Sequence, residues 1–236
     1  MLKPGNHRGH AADQGPDAIS RVTRTRQQAR QSYDRISRLY DLFTGPSEQK
    51  YRDLALQRLA VSPGEIVLEL GCGTGTCLLP LARAVGSTGR VFGLDLSPRM
   101  LVLSQRHLEH SGLLEGVGLT CGDALSMPYP AATFDAVFGC FVLELFDNPE
   151  IPIVLEGVQR RLRPGGRLGI LSMSKGAGRS LLLDLYEAFH RSFPRYVDCR
   201  PIYAEQAIAQ AGFEIIHSEQ VNILGLPGEI VIGIRA

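Results

Sequence analysis

The stretch Val67-Leu68-Glu69-Leu70-Gly71-Cys72-Gly73-Thr74-Gly75 runs from an apolar segment into a loop with glycine at every second position. A second apolar segment, Val91-Phe92-Gly93-Leu94-Asp95, ends on an acid twenty residues after Gly75. Glycine is needed where backbone takes a left-handed φ or approaches a ligand more closely than a Cβ permits, and a carboxylate at the tip of the next strand can accept both hydroxyl protons of a ribose. Loop and acid together read as a site for a ribosylated ligand. The dinucleotide fingerprint Gly-x-Gly-x-x-Gly is not met, because the sixth position counted from Gly71 is Thr76 and from Gly73 it is Leu78. A pyrophosphate is therefore disfavoured. Glu69, just before the loop, would repel a phosphate and suits a ligand that carries an ammonium group.

S-adenosylmethionine has that ammonium, a ribose and no phosphate. At these residues the sequence resembles the class I S-adenosylmethionine-dependent methyltransferases, from about Tyr33 to the C-terminus. Their first motif looks like Glu69 to Gly75, the ribose-binding acid falls on Asp95, and a third motif of the form Gly-Asp matches Gly122-Asp123. The resemblance implies that Asp123 bonds the adenine amino group and that the backbone of Gly71, Cys72, Gly73 and Gly75 holds the methionine moiety. It implies further cofactor contacts at Leu96, Met100 and Ala124, with S-adenosylhomocysteine as product and no metal. The implied fold is α/β: a Rossmann-like, seven-stranded, mostly parallel sheet with helices on both faces, N-terminal lid helices, and an antiparallel last strand between the fifth and sixth.

The elements that must position these residues can be read from hydrophobic pattern. Residues 1–28 are rich in Gly, Pro, Asp and Arg without apolar periodicity and are expected to be a disordered tail, with order beginning near Gln31 and a single domain over 29–236. Tyr33, Ile36, Leu39, Tyr40 and Phe43 recur at helical spacing, and after Gly45-Pro46 the pattern resumes at Tyr51, Leu54, Ala55 and Leu59, so two helices are expected before the first strand. Strands are expected at Ile66–Leu70, Val91–Asp95, Val117–Cys121, Phe134–Cys140, Arg167–Met173, Phe213–Val221 and Glu229–Ile234. Ser97 reads as the N-cap of a crossover helix with Pro98 at its first position, and Leu162 to Gly166 looks like the turn before the fifth strand. Helices are expected over Leu181–Phe193 and Ala204–Ala211.

Composition narrows the function classes. Net charge is +1, so no global field favours nucleic acid, and no basic stripe is present. The five cysteines form no Cys-x-x-Cys pair, no Cys/His spacing matches a zinc site, and a reducing cytoplasm is the expected compartment. No uncharged apolar run approaches the ~20 residues of a membrane span, which leaves peripheral membrane contact open. The sequence leaves the oligomeric state open.

On the acceptor side the signals are weaker. Tyr33-Asp34 and Tyr40-Asp41 repeat seven residues apart on the expected lid helix, and Cys140 and Glu144 lie at the edge of the fourth strand, so Tyr33, Tyr40, Cys140 and Glu144 are candidate substrate contacts. The polar, aromatic segment from His190 to Tyr203 follows the fifth strand, and His190, Asp198, Arg200 and Tyr203 are candidates for binding or deprotonating an acceptor. The function expected from all this is methyl transfer from S-adenosylmethionine to a small, lipophilic or aromatic acceptor. A protein that holds the cofactor without catalysis, as a sensor, is the alternative. The N-terminal helices resemble the ubiquinone/menaquinone-biosynthesis branch. That branch tends to have Glu-x-Ser on the fifth strand where this chain has Leu171-Ser172-Met173-Ser174-Lys175, so C-, O-, N- and S-methylation all stay open.

Overall fold

Residues Val67 to Leu70 are buried on both sides, which is why the first strand reads as a continuous apolar run rather than an alternating one. The computed structural model describes residues 19, 21–22, 25–176 and 200–236, with backbone alone for 33 and 35–47. Among them seven strands form one sheet: β1 (Ile66–Leu70), β2 (Arg90–Asp95), β3 (Val117–Cys121), β4 (Phe134–Cys140), β5 (Leu162–Met173), β6 (Phe213–Ile223) and β7 (Leu226–Arg235). Their order is β3-β2-β1-β4-β5-β7-β6. β7 runs antiparallel to both β5 and β6, and the pairs from β3 to β5 are parallel, as the resemblance implies. Chain order reverses between β1 and β4, and a doubly wound sheet opens a crevice there at the carboxyl ends of its strands.

Helix α1 (Arg26–Leu59) is one element of 34 residues where the sequence suggested two. Proline's fixed φ lies in the helical range, so Pro46 forfeits one backbone bond without ending a helix that is anchored on both sides of it. Asp34 accepts from the Ser97 hydroxyl at 2.6 Å on one side, and Ala55 and Leu59 are buried on the other. The helix also starts earlier than the expected Gln31. Thr25 caps it, its hydroxyl accepting from Gln28 N–H while the Gln28 side chain accepts from Thr25 N–H. Before the cap, inside the stretch expected as tail, Ile19 packs on the core and the Arg21 guanidinium donates to Asp147 at 2.6–3.0 Å.

Among the described residues four shorter helices flank the sheet: α2 (Leu78–Val85), α3 (Pro98–His110), α4 (Glu150–Arg161) and α5 (Ala204–Gln210). Ser97 and Pro98 start α3 as expected, with the Ser97 hydroxyl accepting from Met100 N–H. The expected turn before β5 is a bulge inside that strand: Leu162 pairs with Phe134 and Arg167 with Ala136, residues 163–166 loop out between them, and Gly165 takes φ +74°. The expected helix over Leu181–Phe193 lies outside the described residues. No helix among the described residues is long and apolar enough to cross a membrane.

Gly75 belongs to this packing. At φ +86° a Cβ on it would sit 2.4 Å from Ser104 Oγ and 3.2 Å from Ser104 Cα, on α3. Gly75→Ala is therefore expected to cost roughly 2–4 kcal/mol, from left-handed strain plus overpacking. Urea denaturation measures it; a variant as stable as the parent would show that α3 yields without cost.

Candidate active site

At the carboxyl ends of β1, β2 and β4 lies a cleft of about 1050 Å³, including its open mouth. Of the sequence-predicted cofactor residues, Glu69, Gly71, Cys72, Gly73, Asp95, Leu96, Met100, Gly122, Asp123 and Ala124 line it. Gly75 does not, because its open side faces Ser104. Its place at regular spacing in the loop suggested ligand contact; the close approach of α3 gives it another use.

The loop is fixed from β2. The N–H groups of Gly71 and Cys72 donate to the Leu94 carbonyl at 2.8 and 3.1 Å. Gly71 has φ +63°, and a Cβ there would lie 2.6 Å from Val142 Cγ2. Gly73 differs: at φ +53° the nearest atom to its would-be Cβ is the Gly71 carbonyl oxygen at 4.0 Å, so this position is open. One Asp95 oxygen accepts from Gly73 N–H and the other from Ser97 N–H, each at 2.8 Å. Burial raises the Asp95 carboxyl above its ordinary value, and those two backbone N–H groups pull it back. The acid is thereby held rigidly where the loop and α3 meet.

Glu69 is 2% exposed, and its Oε2 atom is buried without a hydrogen-bond partner. Burial lifts its carboxyl well above the ordinary range, with Cys140 and Asp95 adding to the rise and Arg52 and Cys77 opposing it. Buried polar atoms normally find a partner, so a bare carboxyl oxygen in a cleft wall is suited to a donor on a ligand. Asp123 accepts from Leu125 N–H at 3.0 Å and lies 3.2 Å from Arg26 Nε. The Arg26 guanidinium is also 2.8 Å from Glu150 and sits 4.6 Å from the Phe146 ring centroid.

The acceptor-side expectations fare less evenly. Cys140 is half-buried and lines the cleft. Glu144 does not line it: this residue is fully buried, with Oε1 accepting from Met173 N–H at 3.1 Å. It lies on the short 3-10 turn Leu143–Leu145, where Leu145 lines the cleft and Glu144 faces β5. Burial pushes its carboxyl up to about 8. Arg200 is corrected likewise. It is fully buried, donating to the Glu144 carbonyl at 3.2 Å, to Asn148 Oδ1 at 2.6 Å and to the Phe146 carbonyl, so it clamps the segment after β4 instead of facing an acceptor. Burial lowers its guanidinium to about 10. Tyr203 is half-buried at the start of α5 and does not line the cleft. His190, Asp198 and the side chains of Tyr33 and Tyr40 lie outside what is described.

Several lining residues were missed from sequence, including Arg26, Ala29, Arg52, Cys77, Phe141 and Phe146. Arg26 is one of four arginines at positions 21, 24, 26 and 30, and nothing in their spacing marks one as a site residue. Arg52 is 7% exposed and donates to Glu48 four residues earlier at 2.6 Å, a spacing that by itself signals only a helical ion pair. Among the described residues no group of three or more His, Cys, Asp or Glu side chains could hold a metal ion.

The arrangement matches known proteins. A family model described as a methyltransferase domain covers residues 67–166. The chain is 33% identical over 164 residues to a demethylmenaquinone methyltransferase of Lactobacillus johnsonii, an alignment spanning 70% of this chain and 65% of that protein. It is 30% identical over 183 residues to a ubiquinone/menaquinone biosynthesis C-methyltransferase of Teredinibacter turnerae, spanning 78% of this chain and 71% of the relative. The chain belongs to the class I S-adenosylmethionine-dependent methyltransferases. Among solved structures the cyclase SpnF superposes with a TM-score of 0.71 at 21% identity, over 90% of this chain and 97% of that one, which establishes the shared fold alone.

The cofactor of this methyltransferase family is S-adenosylmethionine, and the cleft fits it on three observations. Glu69 offers a bare buried oxygen to an ammonium, Gly73 leaves open space beside the loop backbone, and Asp95 is fixed at the tip of β2.

Proposed function

We propose that this chain transfers the methyl group of S-adenosylmethionine to a small, lipophilic, ring-bearing acceptor of the quinol type. The relatives' names, which concern demethylmenaquinone and ubiquinone/menaquinone biosynthesis, support the acceptor class. The observation that carries the cofactor side is the partnerless Glu69 oxygen in the same cleft as the doubly anchored Asp95. In this reading Glu69 takes the ammonium of the methionine moiety, the backbone of Gly71 to Gly73 lies along it, and Asp95 accepts from the ribose hydroxyls. Asp123 takes the adenine amino group between walls formed by Leu96, Met100 and Ala124.

The bound cofactor supplies a methyl group already activated on a sulfonium. What the protein must add is alignment and exclusion of water. Cys140, Phe141 and Arg52 line the part of the cleft next to Glu69, and we assign them to the acceptor's approach. We keep Tyr33 and Tyr40 as candidates on the covering helix, and His190 and Asp198 as candidates on the segment after β5. The odd number of cysteines, five, supports a reducing, cytoplasmic setting.

Incubating the protein with methyl-deuterated donor and a panel of demethylated quinols, alongside whole lipid extract, tests the reading. A labelled, ring-methylated product is expected. Tight binding of S-adenosylhomocysteine with no labelled product from any acceptor would replace it with a cofactor sensor.

A further inference from the structure

Two cysteines face each other across the floor of the cleft. Cys140 ends β4, Cys77 immediately precedes α2, and both line the cavity. Both are free, both belong to one apolar cluster, and each lies close enough to bear on the other's ionisation. The Arg52 guanidinium lines the same cleft and bears electrostatically on the Cys140 sulfur. The Glu69 carboxyl lies in the same cleft wall and bears electrostatically on the Cys77 thiol. Methyl transfer makes no use of Cys77, and Cys140 only borders the acceptor's approach without a part in the chemistry. We propose that Cys77 and Cys140 are an oxidisable dithiol site, that a hydroperoxide converts them to a disulfide, and that this disulfide closes the cofactor cleft.

The roles of the two thiols follow from their surroundings. Cys140 is half-buried on a cleft wall, whereas Cys77 is 3% exposed. The neighbouring Cys140 and burial raise the Cys77 thiol well above its ordinary value, so it does not start the reaction. The Cys140 sulfur attacks one peroxide oxygen, the O–O bond breaks, the thiol proton goes to the departing oxygen, and Cys140 sulfenic acid forms with one water from hydrogen peroxide or one alcohol from an organic hydroperoxide. Arg52 beside that sulfur stabilises the negative charge that develops on the departing oxygen. Cys77 then attacks the sulfenic sulfur, the S–O bond breaks, and the hydroxide leaves with the thiol proton as water. Two thiols thus give two electrons and two protons to one peroxide. The remaining cysteines among the described residues are placed elsewhere: Cys72 packs against Gly93 of β2, and Cys121 is exposed at the end of β3.

A disulfide of about 2.05 Å pulls the start of α2 onto the β4 edge, beside Glu69. This draws on the floor where the methionine moiety is assigned, so the closing of the cleft rests on the proposed cofactor placement, while formation of the bond does not. The test uses the full reduced chain treated with hydrogen peroxide, followed by intact mass, peptide mapping and calorimetry with S-adenosylhomocysteine. Expected are the loss of two hydrogens, a Cys77–Cys140 linked peptide, a fall in affinity of about tenfold or more, and recovery with dithiothreitol. Cys77→Ser is expected to stop at the sulfenic acid, trapped by dimedone, and Cys140→Ser to show the same affinity before and after peroxide. Saturation with S-adenosylhomocysteine before treatment is expected to slow the linkage. Persistence of both thiols at peroxide levels that oxidise Cys121, or a linkage that leaves affinity unchanged, overturns the proposal. If the reduced protein binds no S-adenosylhomocysteine, the cofactor placement fails and the mapped linkage alone decides whether the dithiol site exists.

Discussion

Asp95→Ala is expected to weaken S-adenosylhomocysteine binding by roughly 2–4 kcal/mol, or about 30- to 1000-fold. Two losses combine. In the proposed placement the ribose hydroxyls lose a charged acceptor, and the N–H groups of Gly73 and Ser97 lose the oxygens that hold the glycine loop against the start of α3. The same geometry makes asparagine a poor substitute, because one of its two terminal atoms would point an NH2 at a backbone N–H. Asp95→Asn is expected to lose nearly as much as alanine. Isothermal calorimetry on both variants, with circular dichroism to establish folding, measures the effect. Near-parental affinity in a folded Asp95→Ala protein would remove Asp95 from the cofactor site.

The second large effect concerns pH and Glu144. Its carboxyl titrates at about 8 in the fold, against an ordinary value of 4.5. Between those values the native protein keeps a proton that the unfolded chain has released, so stability declines as pH rises from about 4.5 to about 8 and is level with respect to this group above that. The shift corresponds to a loss of roughly 3–5 kcal/mol across the window. The facing charges are Arg200, which favours the ionised form, and Glu229, which opposes it and is itself raised by burial. Glu144→Gln keeps an oxygen for Met173 N–H and cannot ionise. It is expected to match the parent near pH 4.5 and to be clearly more stable near pH 8, with the Glu229 contribution common to both. Denaturant midpoints across the range measure this, and parallel curves for parent and variant would show that Glu144 does not carry the proton.

The sequence alone determined the local geometry of the glycine loop and of the β2 tip, because its signals are local. Left-handed φ at Gly71 and Gly73, an acid at a strand tip, and the Ser97-Pro98 helix start are each set by a few neighbouring residues, and the structure has all of them. The central strands were legible for the same reason, since a strand covered on both faces must be apolar throughout, whereas β6, with His217, Ser218, Glu219 and Gln220, is half-buried and alternates. Direction of burial is not local. Glu144 and Arg200 have the residue types of an acceptor site, and only the packing of the segment after β4 against β5 and α5 turns them inward, where they clamp that segment. Gly75 looks like its two neighbours until α3 is docked beside it. Arg26 and Arg52 reach the cleft because one 34-residue helix carries both along it, and that helix passes Gly45-Pro46, where a reading of the local sequence places a break. Local backbone chemistry is written in neighbouring residues. Which way a long side chain faces is settled by contacts tens of residues apart, 29 for Glu144 with Met173 and 56 for Arg200 with Glu144, and those exist only once the sheet has closed.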